Sequence, residues 1–288
     1  MKVYISVDIE GVAGVVDQAQ GSPPGIDYAR GRRLMTAEAA AAVRGALAGG
    51  ATEVWVSDGH GGNGMRNIII EELPEDCWLI SGDSRPMGQI DGLDGSFAAL
   101  ALVGYHTRHG LSGVLDHTIN GRVVYDLRLN GRSVGEADLN AAVAGHLGVP
   151  VVFVSGDHKL IGEVGKTLPW AEGVAVKEAI GRHASKAMHP HRACRAIEDG
   201  LTRALGRLDR ARPFDIGTPV AADLTFKYTT MADSAARLPG AERPTDLSIR
   251  LTAPDPVAVF PQIMAAIHLA GFSMGAPMKL GGAGAPGT

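Results

Sequence analysis

The chain has 288 residues, 45% of them hydrophobic and 20% charged, the balance of a globular protein with enough core for one large or two modest domains. A formal net charge of −4 with no run of Lys or Arg excludes the electrostatic footprint of a nucleic-acid or anionic-lipid binder and leaves a small molecule or peptide as the expected partner. No apolar stretch approaches the roughly 20 residues needed to cross a bilayer, and the chain opens on a strand-like segment instead of a secretory signal, so no membrane partner and a cytoplasmic location are expected.

Short β-branched runs alternate with Ala-rich segments of helical period, which is the pattern of βαβ units. The expected fold is a layered α/β structure with a mostly parallel sheet and helices on both faces, followed by a smaller C-terminal α+β domain. In chain order, near-continuous apolar strands are expected at residues 2–8, 53–57, 77–81, 99–105 and 150–155, with helices at 33–48, 136–147 and 158–167. Residues 122–134 alternate in polarity and contain Asn130-Gly131, the dipeptide of a type I′ turn. They read as an antiparallel ribbon appended to the parallel sheet. Past about residue 190 a long helix over 190–209, a turn at Arg212-Pro213, strands near 218–227 and 246–252 and a closing helix over 255–270 are expected. The division is an α/β catalytic domain over 1–188, the smaller domain over 189–280 and a Gly-rich disordered tail over 281–288. Cys77 and Cys194 share no metal or disulfide spacing and are expected to be free thiols.

In open α/β sheets ligands collect beyond the carboxyl ends of the strands, so polar residues at those ends carry the most information. The first strand runs into Asp8 and Glu10, two apart and therefore on one side of an extended chain. Carboxylates so placed repel, and unless one is protonated they require a cation between them. The second strand leads to Asp58-Gly59-His60, the fourth ends at Tyr105-His106, and Glu136 opens a helix. Each has a plainer reading alone: a turn at Gly11, a structural imidazole, a first-turn Glu that complements the helix dipole. Together three carboxylates and two imidazoles converge on one edge of one sheet. Such mixed oxygen and nitrogen donors suit Zn²⁺, with Mn²⁺, Fe²⁺ or Co²⁺ as alternatives, and five ligands exceed one tetrahedral ion. With a bridging Asp they would serve two ions roughly 3.5–4 Å apart.

At these residues the sequence resembles the D-aminopeptidase family of zinc peptidases, peptidase family M55. The resemblance rests on Ser6-Val7-Asp8-Ile9-Glu10-Gly11, Ser57-Asp58-Gly59-His60, Leu79-Ile80-Ser81-Gly82-Asp83, Gly104-Tyr105-His106 and Val134-Gly135-Glu136 followed by Leu139-Asn140. It implies two zinc ions per chain bridged by Asp8, with Glu10 and His106 completing one shell and His60 and Glu136 the other. It also implies an essential His117, described in the family as a nucleophile and read here as an acid/base or oxyanion-stabilising group, because dimetal-activated water already supplies the attacking oxygen. Finally, it implies D-alanine-type peptide or amide substrates and a homo-oligomer, a decamer of stacked pentamers. The chain departs from the family pattern in the ribbon between His117 and Glu136 and beyond residue 190, which bears on substrate choice. Two other readings stay open: a dimetal hydrolase of another small amide, and a ring-forming protein that keeps metal for stability without turnover. His158 reads as structural or pocket-lining, the group His183, His189 and His191 as a solvated face, and His109 as a solvated loop residue.

Overall fold

In the computed structural model, which describes residues 1–273, strand β1 (Lys2–Val7) is followed by α1 (Tyr28–Ala48), β2 (Glu53–Asp58), β3 (Trp78–Ile80) and β4 (Ala99–Tyr105). Next come β5 (Val124–Leu129), β6 (Arg132–Ser133), α2 (Glu136–His146), β7 (Val151–Asp157) and α3 (His158–Thr167). The remainder comprises β8 (Glu172–Gly181), β9 (Ala184–Ala187), α4 (Pro190–Leu205), β10 (Val220–Phe226), α5 (Thr229–Ala235), β11 (Glu242–Thr245), β12 (Ser248–Ala253) and α6 (Pro256–Phe272). The expected tail over 281–288 lies outside the described residues.

Seven strands form one sheet in the order β3-β2-β1-β4-β7-β8-β9, parallel throughout except for the β8–β9 hairpin. Strands β1, β4 and β7 are buried along nearly their whole length, because α1 and α4 cover one face while α2 and α3 cover the other. The layered α/β architecture expected from the sequence is therefore the one observed.

The ribbon is placed differently from the expectation. It does not extend the parallel sheet: β5 pairs antiparallel with β10, giving a separate five-stranded sheet in the order β11-β12-β10-β5-β6. Alternation explains the choice, since Val124, Leu127 and Leu129 of β5 are buried and meet Ala222, Leu224 and Phe226 of β10 under α5 and α6. The turn itself follows the sequence reading, with Asn130 at φ +48° and Gly131 at φ +81°, as a type I′ turn demands. The second sheet thus draws two strands from before residue 188, while α4, which follows it, packs against α1 on the parallel sheet. One apolar core joins the two sheets through α2 and α6.

The hairpin β8–β9 and the elements α5 and β11 carry no expected counterpart. In β8 the apolar run Val174-Ala175-Val176 is followed at once by Lys177 and flanked by Glu172 and Glu178, which hides a strand that is buried only in its middle. Among the described residues no helix is long and apolar enough to cross a membrane, and Cys77 and Cys194 are both free thiols.

Candidate metal centre

Strands β2, β1 and β4 lie side by side and point the same way, so their carboxyl ends deliver side chains to one place. Asp8 is the first residue past β1, its N–H still donating to Val103 at 2.8 Å; His60 is two residues past β2, and His106 immediately follows β4. Glu136 is the first residue of α2. Asp8, Glu10, His60, His106 and Glu136 are all buried, none more than 8% exposed.

Within this group Asp8 occupies the centre. Its Oδ1 lies 3.2 Å from His60 Nδ1 and its Oδ2 lies 3.4 Å from His106 Nε2. Glu10 Oε2 stands 3.1 Å from His60 Nδ1, and Glu136 Oε1 stands 3.2 Å from His106 Nε2. Across Asp8 the side chains therefore pair Glu10 with His60 and Glu136 with His106, whereas the family resemblance implies shells of Glu10 with His106 and of His60 with Glu136. Lateral position accounts for this pairing: Glu10 lies against His60, which follows β2, and Glu136, at the start of α2, lies against His106, which follows β4.

The tautomers of the two imidazoles decide what these short distances mean. His60 Nε2 lies 2.6 Å from the carbonyl of Gly21, and His106 Nδ1 lies 2.9 Å from the carbonyl of Thr107. A carbonyl only accepts, so each of these nitrogens carries the proton, and in the neutral ring the other nitrogen turns a lone pair toward carboxylate oxygens. Glu10 Oε2 and His106 Nε2 are buried and have no hydrogen-bond partner among the described residues. Lone pairs facing lone pairs in a buried site need a cation, and fixing of the distal imidazole nitrogen by a carbonyl is the usual support of a metal-bound histidine.

Charge tells the same story. Burial alone would lower the pKa of His60, but the carboxylates of Glu10 and Asp8 outweigh it and hold the ring well above its ordinary value; Glu136 and Asp8 do the same for the buried His106. Burial would raise Asp8, yet His106 and His60 bring it well below the usual carboxylate range, and His106 likewise lowers the buried Glu136. The carboxylates thus favour positive charge at both imidazoles, and a divalent ion would supply it in place of a proton. The donor set, three carboxylates and two imidazoles without thiolate, fits zinc.

The expected catalytic residue His117 lies in the loop between β4 and β5. Its ring stacks on that of His106, with centroids 4.1 Å apart and planes inclined by 7°. Its Nδ1 donates to Leu115 at 2.8 Å, which leaves Nε2 3.8 Å from Glu136 Oε1 and 4.0 Å from Glu10 Oε1, between the two groups of ligands. It could join His106 and Glu136 around an ion by distance alone. His109 sits apart, beside Asp116 and edge-on to Tyr125. His158 accepts from the N–H of Ala179, a structural bond, and the exposed His189 caps α4 by accepting from His191.

A supporting layer is absent from the sequence reading. Gln89 donates from Nε2 to Glu136 Oε2 at 2.6 Å and accepts from Asn140 at 2.7 Å, while the N–H of Ile119 donates to Glu136 Oε1 at 2.7 Å. Asp58, fully buried, accepts from the N–H of Ile68 and from both the backbone and the side chain of Asn67, and Asn67 in turn donates to the carbonyl of His60. Asn140, one helical turn after Glu136, carried a signal in its i, i+4 spacing. Gln89 had none, because it reaches Glu136 from a turn that is distant in the chain.

The M55 peptidase profile, described as D-aminopeptidase, matches residues 1–265. The chain belongs to the M55 D-aminopeptidase family. As a member it is an enzyme and a peptidase. A D-aminopeptidase of Bacillus subtilis (strain 168) is 34% identical to this M55 chain over 274 residues, covering 94% of this chain and 98% of the relative. Among solved structures, the Zn-dependent D-aminopeptidase DppA from Bacillus subtilis, described as a self-compartmentalizing protease, superposes on this M55 chain with a TM-score of 0.92 at 33% identity, covering 96% of this chain and all of that one (100%).

Proposed function

We propose that the chain is a zinc-dependent aminopeptidase that removes the N-terminal residue of small peptides or amides, with D-residues of the D-alanine type preferred. The observation that carries this reading is the paired arrangement around Asp8: one carboxylate oxygen toward His60 and Glu10, the other toward His106 and Glu136. Two zinc ions held there, one by each group, would supply Lewis acidity at the scissile carbonyl and activate water at neutral pH. The chain's own residues set the geometry for that chemistry. Gly21 and Thr107 orient the two imidazoles, Gln89 and Ile119 orient Glu136, and burial excludes bulk water from all five ligands. His117, its Nδ1 proton tied to Leu115, takes up at Nε2 the proton released by the attacking water and returns it to the amine nitrogen as the scissile C–N bond breaks. The stereochemical preference is supported by family membership and by the D-aminopeptidases to which the chain is similar. A cytoplasmic homo-oligomer, a decamer of stacked pentamers, completes the proposal; support for assembly comes from the description of DppA as self-compartmentalizing.

A panel of D- and L-aminoacyl amides and N-blocked controls tests the reading. Hydrolysis of the D-alanyl amide should exceed that of its L-isomer, should vanish with a blocked amino terminus, and should be lost to a chelator and restored by Zn²⁺. Equal rates on both isomers, or on the blocked substrate, would replace aminopeptidase by a general amide hydrolase.

A further inference from the structure

The side chain of Lys177, in the middle of β8, is only 2% exposed, and its ammonium group is not opposed by any carboxylate within ion-pair distance among the described residues. Its three protons go instead to three backbone carbonyls of the segment that follows β1: Glu10 at 2.5 Å, Val15 at 2.7 Å and Val12 at 2.9 Å. Desolvating a cation is costly, and an ammonium that spends every donor on one loop orders that loop. Glu38 of α1 holds the same segment from the other side, accepting from the N–H of Ala13 at 2.8 Å, and the negative charges that act on Lys177 are those of Glu38, Asp157 and Glu10.

The bond to Glu10 has a specific consequence. The peptide unit between Glu10 and Gly11 is gripped at both ends, its carbonyl by Lys177 and its N–H by the carbonyl of Gly104 on β4 at 2.7 Å. Gly11 lies so close to β4 that a Cβ there would come within 1.9 Å of the Tyr105 carbonyl oxygen. The plane of this peptide determines the direction in which the Glu10 side chain leaves the backbone, and among the described residues Oε2 has no hydrogen-bond partner to hold it toward His60. We infer that Lys177 is a positioning residue for Glu10, holding its carboxylate in the geometry that receives the metal beside His60. The inference rests on the dimetal reading of the site.

The test compares wild type, Lys177→Met and Lys177→Arg in three measurements: thermal unfolding of the metal-free proteins, zinc affinity by chelator competition, and kcat and KM on a D-alanyl amide at saturating zinc. Methionine keeps the length and removes the donors. The expected result is a folded, less stable Lys177→Met whose zinc Kd is weakened roughly 10- to 100-fold, the usual effect of removing a group that supports a ligand. Its kcat should fall at saturating zinc with KM changed much less, and Lys177→Arg, which restores donors, should recover part of the affinity. A folded Lys177→Met with a lowered Tm but wild-type zinc affinity and kcat would overturn the inference, leaving Lys177 a purely structural cation. If Lys177→Met does not fold, Lys177→Gln, which keeps two donors, is measured instead, with the same results supporting or overturning the inference. A wild-type protein that binds no zinc would contradict the dimetal reading itself, and so separates the two failures.

Discussion

Replacing Asp8 with Ala should abolish both metal sites at once, with loss of more activity than the roughly 10²–10³-fold that a single electrostatic stabiliser contributes. Asp8 reaches both groups of ligands, with Oδ1 3.2 Å from His60 and Oδ2 3.4 Å from His106. Without it each group is left with one carboxylate and one imidazole, too few for tight binding of zinc. Stability provides a second readout. A ligand that binds only the folded state stabilises it by about 4 kcal/mol at a thousand times its Kd, so zinc should raise the Tm of the wild type and leave that of Asp8→Ala almost unmoved. His158→Ala is the control and should retain full zinc content, because among the described residues the His158 side chain bonds only the backbone of Ala179. An Asp8→Ala protein that still holds two zinc ions would remove Asp8 from the centre of the account.

His117→Ala should separate metal binding from chemistry. The side chain of His117 is 14% exposed where that of His106 is 1%, and its Nε2 lies between the two groups of ligands. A group so placed can face substrate while the five other residues hold the ions. Loss of one acid/base or oxyanion-stabilising group costs roughly 10²–10⁴ in kcat, and zinc content should be unchanged. His109→Ala, eight positions earlier and paired only with Asp116 and Tyr125, should be close to wild type. Loss of zinc along with activity in His117→Ala would make it a ligand of the His106 group, and full activity would make it a bystander.

The convergence of these side chains was legible in the sequence because strand ends in a parallel sheet are a local signal: an apolar run, then Asp8, His60 or His106. Which carboxylate lies beside which imidazole was not, since it depends on which neighbour of β1 each side chain leans toward, a fact of strand order rather than of spacing. The ribbon shows the same limit. Asn130-Gly131 announces the turn, but the choice of β10 over the parallel sheet as partner is made by residues some 90 positions away, where Ala222 and Leu224 offer the matching buried face. Lys177 was hidden for the opposite reason. A charge in a strand ordinarily marks an exposed face, and only the fold reveals three carbonyls waiting for it.

The most direct test of the dimetal centre is zinc stoichiometry measured with activity on the same sample. Metal-free protein titrated with Zn²⁺ should bind two ions per chain, with hydrolysis of the D-alanyl amide rising to a plateau at two equivalents. A plateau at one equivalent, or activity that persists in metal-free protein, would contradict the account.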